Sequence, residues 1–168
     1  HPMTGTEESG VNSGQCNLFK NKPWVVTPEK ETDQKALEKI HQISLSLGCK
    51  WISTEAQMHD EAVGLISHLP VLISAALLNT LNKDINPSLY SLAQSIASSG
   101  FADTSRVGGG NPELGVSMAK FNKENLIKNF SSYKHSLDLF EKYLLKGNWT
   151  DLEKILISTK EEREHFIS

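Results

Sequence analysis

Residues 58–81, MHDEAVGLISHLPVLISAALLNTL, constrain the fold of this chain more than any other segment. As one helix they would be roughly 35 Å long, at about 1.5 Å per residue. After Val63 nearly every side of that helix is apolar, which is typical of a helix buried at the centre of a domain. The segment therefore predicts a long core helix around which the other elements pack.

Small and polar residues interrupt this helix in a regular pattern. Steps of four and three place them in one stripe along the helix: Asp60, Gly64, Ser67, Val71 and Ser74. Pro70 cannot donate a hydrogen bond to the carbonyl of Ile66, so we predict a kink close to Ser67 and His68. A kinked helix with a serine and a histidine at the kink can line a functional site. The alternative is a kinked core helix whose polar groups are satisfied within the fold.

Composition and charge limit the classes of protein to which the chain can belong. Of its 168 residues 38% are hydrophobic and 22% are charged, which fits a soluble globular protein. The net charge of −3, without a basic stripe, argues against nucleic acid as a partner. The longest strongly apolar run, residues 69–78, is too short to span a bilayer. No signal peptide is visible and the two cysteines have no metal or redox spacing, so we expect a cytoplasmic protein without a membrane partner.

The first 22 residues are rich in glycine, serine, threonine and asparagine and show no periodicity, which predicts a loop. Long loops in compact proteins often carry function. Pro2 holds the preceding His1 in an extended backbone conformation, so the imidazole starts from a fixed position. His1 is therefore a candidate functional residue, and an ordinary polar loop is the alternative.

A β-α-β unit follows this loop. Residues 24–27 and 49–53 are predicted strands, and a helix between them begins near Asp33 and ends at Gly48. Two strands alone do not make a stable sheet. Because the chain also begins with histidine rather than methionine, we expect it to be a piece of a longer protein with further strands upstream.

From residue 57 onwards the pattern is helical, with one glycine-rich loop predicted at residues 101–112. The fold class is therefore mainly α, with a short α/β domain at residues 1–56 and a helical domain at residues 57–168. A regular apolar seam from Leu126 to Leu144 can close the core within the chain or pack against a second subunit.

Arg106 is the candidate binding residue of the second half, because it lies in the predicted loop beside three consecutive glycines. A planar guanidinium suits bidentate binding of a carboxylate or phosphate, whereas an ion pair with Asp103 is the alternative. The glycines lack the spacing of a dinucleotide fingerprint. His59 and His68 are nine positions apart and point to opposite sides of a straight helix, so we predict no metal site.

Three segments together resemble the prephenate and arogenate dehydrogenases of tyrosine biosynthesis, and the similarity is greatest to the cyanobacterial arogenate type: HPMTGTEESG, MHDEAVGLISHLP and FADTSRVGGGNPELG. The resemblance implies a Rossmann-type nucleotide-binding domain followed by a helical substrate-binding and dimerisation domain. The chain would then contain the last part of the first domain and the whole of the second. The fingerprint that binds NADP, or alternatively NAD, would lie upstream of His1, so we expect the chain to be inactive alone.

The resemblance also implies the reaction, which is NADP-dependent oxidative decarboxylation of arogenate to tyrosine. The alternative substrate is prephenate, which gives 4-hydroxyphenylpyruvate. The family's catalytic histidine falls on His1, the base for the proton of the ring hydroxyl. The arginine that holds a substrate carboxylate falls on Arg106. Four further residues would line the substrate site: His68, Ser67, Glu7 and Asp60.

Glu7 or Asp60 can meet the ammonium group that distinguishes arogenate from prephenate. Gly115 stands where some prephenate-specific members carry tryptophan, which favours arogenate. The resemblance further implies a homodimer formed through the helical domain. A hypothesis of a different class is a non-catalytic helical dimerisation or ligand-binding module. The joint presence of His1, the Ser67–His68 pair and Arg106 favours the enzyme, because a binding module has no need of His1.

Overall fold

The computed structural model describes residues 1–5, 10–81 and 86–167 of the chain. Glu7, one of the candidate site residues, lies outside the described residues. The chain divides into two compact units, His1–Leu126 and Ile127–Ser168. The mainly α fold class, with a β-α-β unit at the N-terminal end, is confirmed.

The β-α-β unit consists of β1 (Pro23–Val26), α1 (Gln34–Ser46) and β2 (Lys50–Ser53). The two strands are parallel, and Val25 lies opposite Ile52. The Asp33 side chain caps α1 by accepting a hydrogen bond from the Lys35 N–H, and Gly48 follows the helix with a φ of +73°. The segment before β1 is only partly a loop, because Pro2 forms an antiparallel bridge with Trp24.

The predicted long helix runs from Ala56 to Asn79 as α2 (Ala56–Val63), a π turn (Gly64–His68) and α3 (Leu69–Asn79). The kink expected at Pro70 takes the form of this π turn, in which the Leu69 N–H bonds to the Gly64 carbonyl five residues earlier. Proline supplies no N–H, so the hydrogen-bond ladder must rearrange around it. Single π turns inside helices are frequent at functional sites.

By length and composition alone, the whole Ala56–Asn79 run is apolar enough to cross a membrane. The strongly apolar run of residues 69–78 predicts the opposite, because by itself it is too short to span a bilayer. Polar groups along the helix nevertheless bond to later parts of the chain, since the Asp60 carbonyl and the Ser74 hydroxyl both have such partners. Only 22% of its most apolar window is buried, and Leu65 and Ile66 are more than half exposed. The prediction of a helix buried on nearly every side is therefore wrong for the described chain, although these bonds attach one side of the helix to the rest of the fold.

The remaining helices of the described chain are connected by short turns: α4 (Pro87–Ile96), α5 (Ser99–Ser105), a 3-10 turn (Val107–Gly109), α6 (Pro112–Phe121), α7 (Lys123–Lys146) and α8 (Trp149–Phe166). The prediction of a loop over residues 101–112 is wrong in its first half, which belongs to α5. Gly100 lies within α5 and does not end a helix, whereas Gly48 and Gly147 follow α1 and α7 with a positive φ.

Large apolar side chains remain exposed in the unit formed by residues 127–168. Leu145 is 81% exposed and Trp149 is 62% exposed. Along the predicted apolar seam Leu126 is buried, whereas Leu137 and Leu144 are about half exposed. Within the unit of residues 127–168, the described part of the seam is therefore not covered by the unit's own side chains.

Candidate functional site

The edge of β1 fixes the backbone of His1. The His1 amino nitrogen donates a hydrogen bond to the Val25 carbonyl at 2.7 Å, and the Val25 N–H donates to the His1 carbonyl at 2.8 Å. The Met3 N–H adds a bond to the Pro23 carbonyl. The side chain of Thr4 extends this attachment by donating to the Leu18 carbonyl at 3.0 Å. The imidazole of His1 therefore projects from a backbone that is held on the sheet.

The ring of His1 contacts a second histidine that is bound to a carboxylate. Its Nε2 lies 2.8 Å from Nε2 of His59, and the two rings are nearly perpendicular at 81°. Nδ1 of His59 lies 2.9 Å from Oδ1 of Asp60. On the other side of the His1 ring, Nδ1 is 3.2 Å from the carbonyl of Pro2. The result is a continuous array of contacts from a carbonyl acceptor through two imidazoles to a carboxylate.

The hydrogen bonds of the array determine how many protons the rings of His1 and His59 carry. The Pro2 carbonyl and the Asp60 carboxylate both accept hydrogen bonds, so the facing ring nitrogens must carry protons. The contact between the two Nε2 atoms needs one proton more. All three contacts are satisfied when His1 and His59 together hold one proton beyond their neutral forms. In that state the additional proton lies between His1 and His59, and the Asp60 carboxylate at the far end balances its charge.

His68 belongs to the same region through Asn122. The Asn122 amide donates to the Asp60 carbonyl at 2.7 Å and contacts His68 Nδ1 at 3.1 Å. Its oxygen accepts from the Asn125 side chain, which fixes the orientation of the amide. Nδ1 of His68 is thus an acceptor, and its proton sits on Nε2.

Burial lowers the pKa of His68. The carboxylate of Asp60 acts in the opposite direction and His59 adds to the lowering. A neutral His68 with an Nε2–H is a hydrogen-bond donor rather than a cation. The sequence does not identify Asn122 as a site residue, because an asparagine between two helices is common. Its burial, with 7% exposure, cannot be read from the pattern of residues.

The π turn changes the phase between His59 and His68. On a regular α-helix nine positions correspond to about 180° around the axis. A π turn accommodates one extra residue and so removes about 100° from that separation. Both histidines can then face the same region, which agrees with the influence of His59 on the pKa of His68.

The other candidate residues occupy neighbouring elements. Ser67 is half-buried within the π turn beside His68. Arg106 is exposed and follows α5 directly, between that helix and the 3-10 turn. The structure thus brings His1, Asp60 and His68 into one cluster, and places Arg106 on a separate turn packed against α3.

The described residues form neither a cluster of metal ligands nor a glycine-rich turn that binds the pyrophosphate of a dinucleotide. No group of three or more His, Cys, Asp or Glu side chains among them is arranged to hold a metal ion. The connection from β1 to α1, TPEKETD, contains no glycine and three acidic residues, which would repel a pyrophosphate. The glycines of residues 108–110 follow a helix rather than a strand. The described residues therefore do not supply a glycine-rich turn for a pyrophosphate.

Comparison with known proteins identifies the family. Residues 1–53 match the family model described as prephenate dehydrogenase, nucleotide-binding domain. Residues 55–158 match the model described as prephenate dehydrogenase, dimerization domain. The chain belongs to the prephenate dehydrogenase family, and the resemblance of its three motif segments is confirmed.

Two curated relatives and two solved structures illustrate the similarity. Prephenate dehydrogenase of Bacillus subtilis is 26% identical over 98% of this chain and 44% of its own length. Cyclohexadienyl dehydrogenase of Zymomonas mobilis is 31% identical over 68% of this chain and 39% of its own length. The chain therefore spans less than half of the length of these relatives.

The crystal structure of Synechocystis arogenate dehydrogenase has a TM-score of 0.84 and 40% identity, over 99% of this chain and 60% of that one. Prephenate dehydrogenase from Aquifex aeolicus, in complex with hydroxyphenyl propionate and NAD+, has a TM-score of 0.83 and 28% identity. That similarity covers 99% of this chain and 57% of the other.

Proposed function

We propose that this chain is the catalytic and dimerisation part of an NADP-dependent arogenate dehydrogenase, which oxidises and decarboxylates arogenate to tyrosine. The observation that carries the proposal is the array from His1 through His59 to Asp60, because it can take up one proton beside a family-matched substrate domain. The match to a nucleotide-binding domain supports a nicotinamide as hydride acceptor, bound by a part of the protein outside this chain. We propose a cytoplasmic location.

His1 is the general base of the proposed reaction. Its Nε2, which contacts His59 in the described structure, turns to the ring hydroxyl and accepts its proton while the hydrogen on the same carbon leaves as hydride. The bond between the ring and its carboxylate then breaks, CO2 departs, and the electron pair makes the ring aromatic. The oxygen is left as a phenolate, to which the protonated His1 can return the proton.

The remaining site residues bind the substrate in this proposal. Arg106 holds a carboxylate, while Ser67 and the Nε2–H of His68 contribute polar contacts. Asp60 or Glu7 meets the ammonium of arogenate. Asp60 is suited to this role because its side chain is 55% exposed and uses one oxygen for His59.

Prephenate is the second candidate substrate. The name of the Bacillus subtilis relative favours prephenate, and the Aquifex aeolicus prephenate dehydrogenase in complex with NAD+ favours prephenate and NAD. The Synechocystis structure favours arogenate. Gly115 also supports arogenate: a Cβ there would lie 3.9 Å from the Val71 side chain, so a tryptophan would occupy space beside the central helix that glycine leaves open.

We propose that the enzyme is a homodimer formed through the helical domain. The matching family model is a dimerization domain, and the unit of residues 127–168 exposes large apolar side chains. Burial of each such side chain in an interface stabilises a dimer by roughly 1.5–3 kcal/mol. We propose neither nucleic acid nor a membrane as a partner.

The test uses the full reading frame and measures nicotinamide reduction with arogenate and then prephenate, each with NADP and NAD. We expect turnover with arogenate and NADP. His1→Asn should reduce kcat on the order of a hundredfold or more while substrate still binds. Turnover with prephenate alone would reverse the choice of substrate. A folded dimer without turnover on either substrate would instead favour a non-catalytic module.

A further inference from the structure

Ser74 joins the central helix to the turn that carries Arg106. Its hydroxyl donates a hydrogen bond to the Thr104 carbonyl at 2.8 Å and accepts one from the Gly108 N–H at 2.9 Å. Ser74 is only 3% exposed, so both bonds form away from bulk solvent. One buried side chain therefore bonds to the backbone on both sides of Arg106.

The two backbone groups are a pair that an uninterrupted α-helix would join directly. In such a helix each N–H bonds to the carbonyl four residues earlier, and Gly108 stands four residues after Thr104. Here α5 ends at Ser105, and the Ser74 hydroxyl lies between the two groups. The serine thus replaces the missing helical bond and satisfies a carbonyl and an N–H that would otherwise be unpaired.

Close packing reinforces these hydrogen bonds. A Cβ on Gly108 would overlap the backbone of α3 at Ala75 and Ser74. The turn can approach α3 this closely only because residue 108 is a glycine. The path of the backbone through Arg106 is therefore set by contacts with α3 as well as by the local turn.

We propose that Ser74 is a positioning residue for Arg106, which fixes the Thr104–Gly108 turn so that the guanidinium meets a substrate carboxylate. The inference rests on the proposed function, in which Arg106 binds that carboxylate. Arginine recognises a carboxylate through two parallel hydrogen bonds, so its placement matters as well as its charge. Without the hydroxyl, Thr104 and Gly108 are free to form the direct helical bond, which moves Arg106.

The test compares Ser74→Ala, Ser74→Cys, Arg106→Ala and the Ser74→Ala/Arg106→Ala double variant in the full-length enzyme. We expect Ser74→Ala to raise the KM for arogenate about tenfold, while kcat and the KM for the nicotinamide cofactor change less than about twofold. Ser74→Cys keeps a weak donor and acceptor and should recover part of the affinity. In the Arg106→Ala background Ser74→Ala should add little, because the serine acts through the arginine.

Several outcomes would overturn the inference. They are an unchanged KM for arogenate in Ser74→Ala, an equal rise of both KM values, and additive losses in the double variant. If Ser74→Ala does not fold, Ser74→Cys is compared alone and in the Arg106→Ala background by the same criteria. A wild-type enzyme without turnover refutes the proposed function itself. A normal KM in Arg106→Ala refutes the role of the arginine, and the positioning role of Ser74 with it.

Discussion

Gly108 is the position at which replacing one hydrogen atom by a methyl group should destabilise the fold most clearly. A Cβ there would overlap the Ala75 nitrogen and the Ser74 carbonyl carbon, and would lie 2.7 Å from the Ser74 hydroxyl oxygen. The first two are backbone atoms of α3, which cannot rotate away as a flexible side chain can. Gly108→Ala must therefore push the 3-10 turn away from α3 and break the hydrogen bond from Gly108 to Ser74.

The magnitude follows from these two effects. Overpacking of this kind costs about 1–3 kcal/mol, and the loss of a buried hydrogen bond adds about 1 kcal/mol. The lower conformational entropy of alanine in the unfolded chain offsets only about 0.4–1 kcal/mol. For a domain of 150–250 residues 1 kcal/mol shifts its thermal midpoint by about 2–4 °C. We expect Gly108→Ala to lower the midpoint by roughly 5–10 °C.

Gly109→Ala is the matched control, because it makes the same change one residue along the same turn. No atom lies within 4 Å of a Cβ at Gly109, and its φ is outside the left-handed region. Its thermal midpoint should stay within about 2 °C of the wild type. The assay is thermal unfolding of the three full-length proteins in one buffer. Equal midpoints for Gly108→Ala and the wild type, or equal losses in both variants, would refute the proposed steric contact.

Two further predictions concern histidines. His59→Phe removes the hydrogen bonds to His1 and Asp60, so it should lower kcat about tenfold or more with little change in KM. His59→Gln should retain more activity. An unchanged kcat in His59→Phe would exclude a role of His59 in the reaction. Because burial lowers the pKa of His68 below 6.5, the unfolded chain takes up a proton there at a higher pH than the folded one. This contribution to stability is complete above pH 6.5 and is lost as the pH falls from 6.5 through the folded pKa. His68→Gln should therefore flatten the dependence of the thermal midpoint on pH below 6.5. A dependence equal to that of the wild type would contradict the lowered pKa of His68.

Elements set by local chemistry could be predicted from the sequence. The β-α-β unit follows from two short apolar strands and a helix that Asp33 begins and Gly48 ends. The start of α6 follows from Asn111 and Pro112, which are favourable residues at the beginning of a helix. In each case the deciding residue acts on a backbone group within four positions, so its effect is visible in the sequence.

Elements set by distant contacts could not be predicted. The glycines around Arg106 predict a loop. The structured turn found there depends on the bond from Ser74 to Thr104, which joins residues 30 positions apart and is not visible in the local sequence. Asn122 reaches Asp60 across 62 positions. The π turn depends on a change of hydrogen-bond register whose only sequence signal is Pro70, which equally allows an ordinary kink.

The central helix also anchors two later segments of the chain. The backbone carbonyl of Asp60 and the side chains of His68 and Ser74 each bond to a segment that follows the helix. The first two meet Asn122, at the junction of α6 and α7, and the third meets the turn around Arg106. Since all three anchors belong to one helical run, its π turn fixes their relative rotation. The position of the histidine cluster relative to the turn around Arg106 therefore depends on this one helical run. Substitutions that change the hydrogen-bond register of its π turn should displace the cluster and the turn relative to each other.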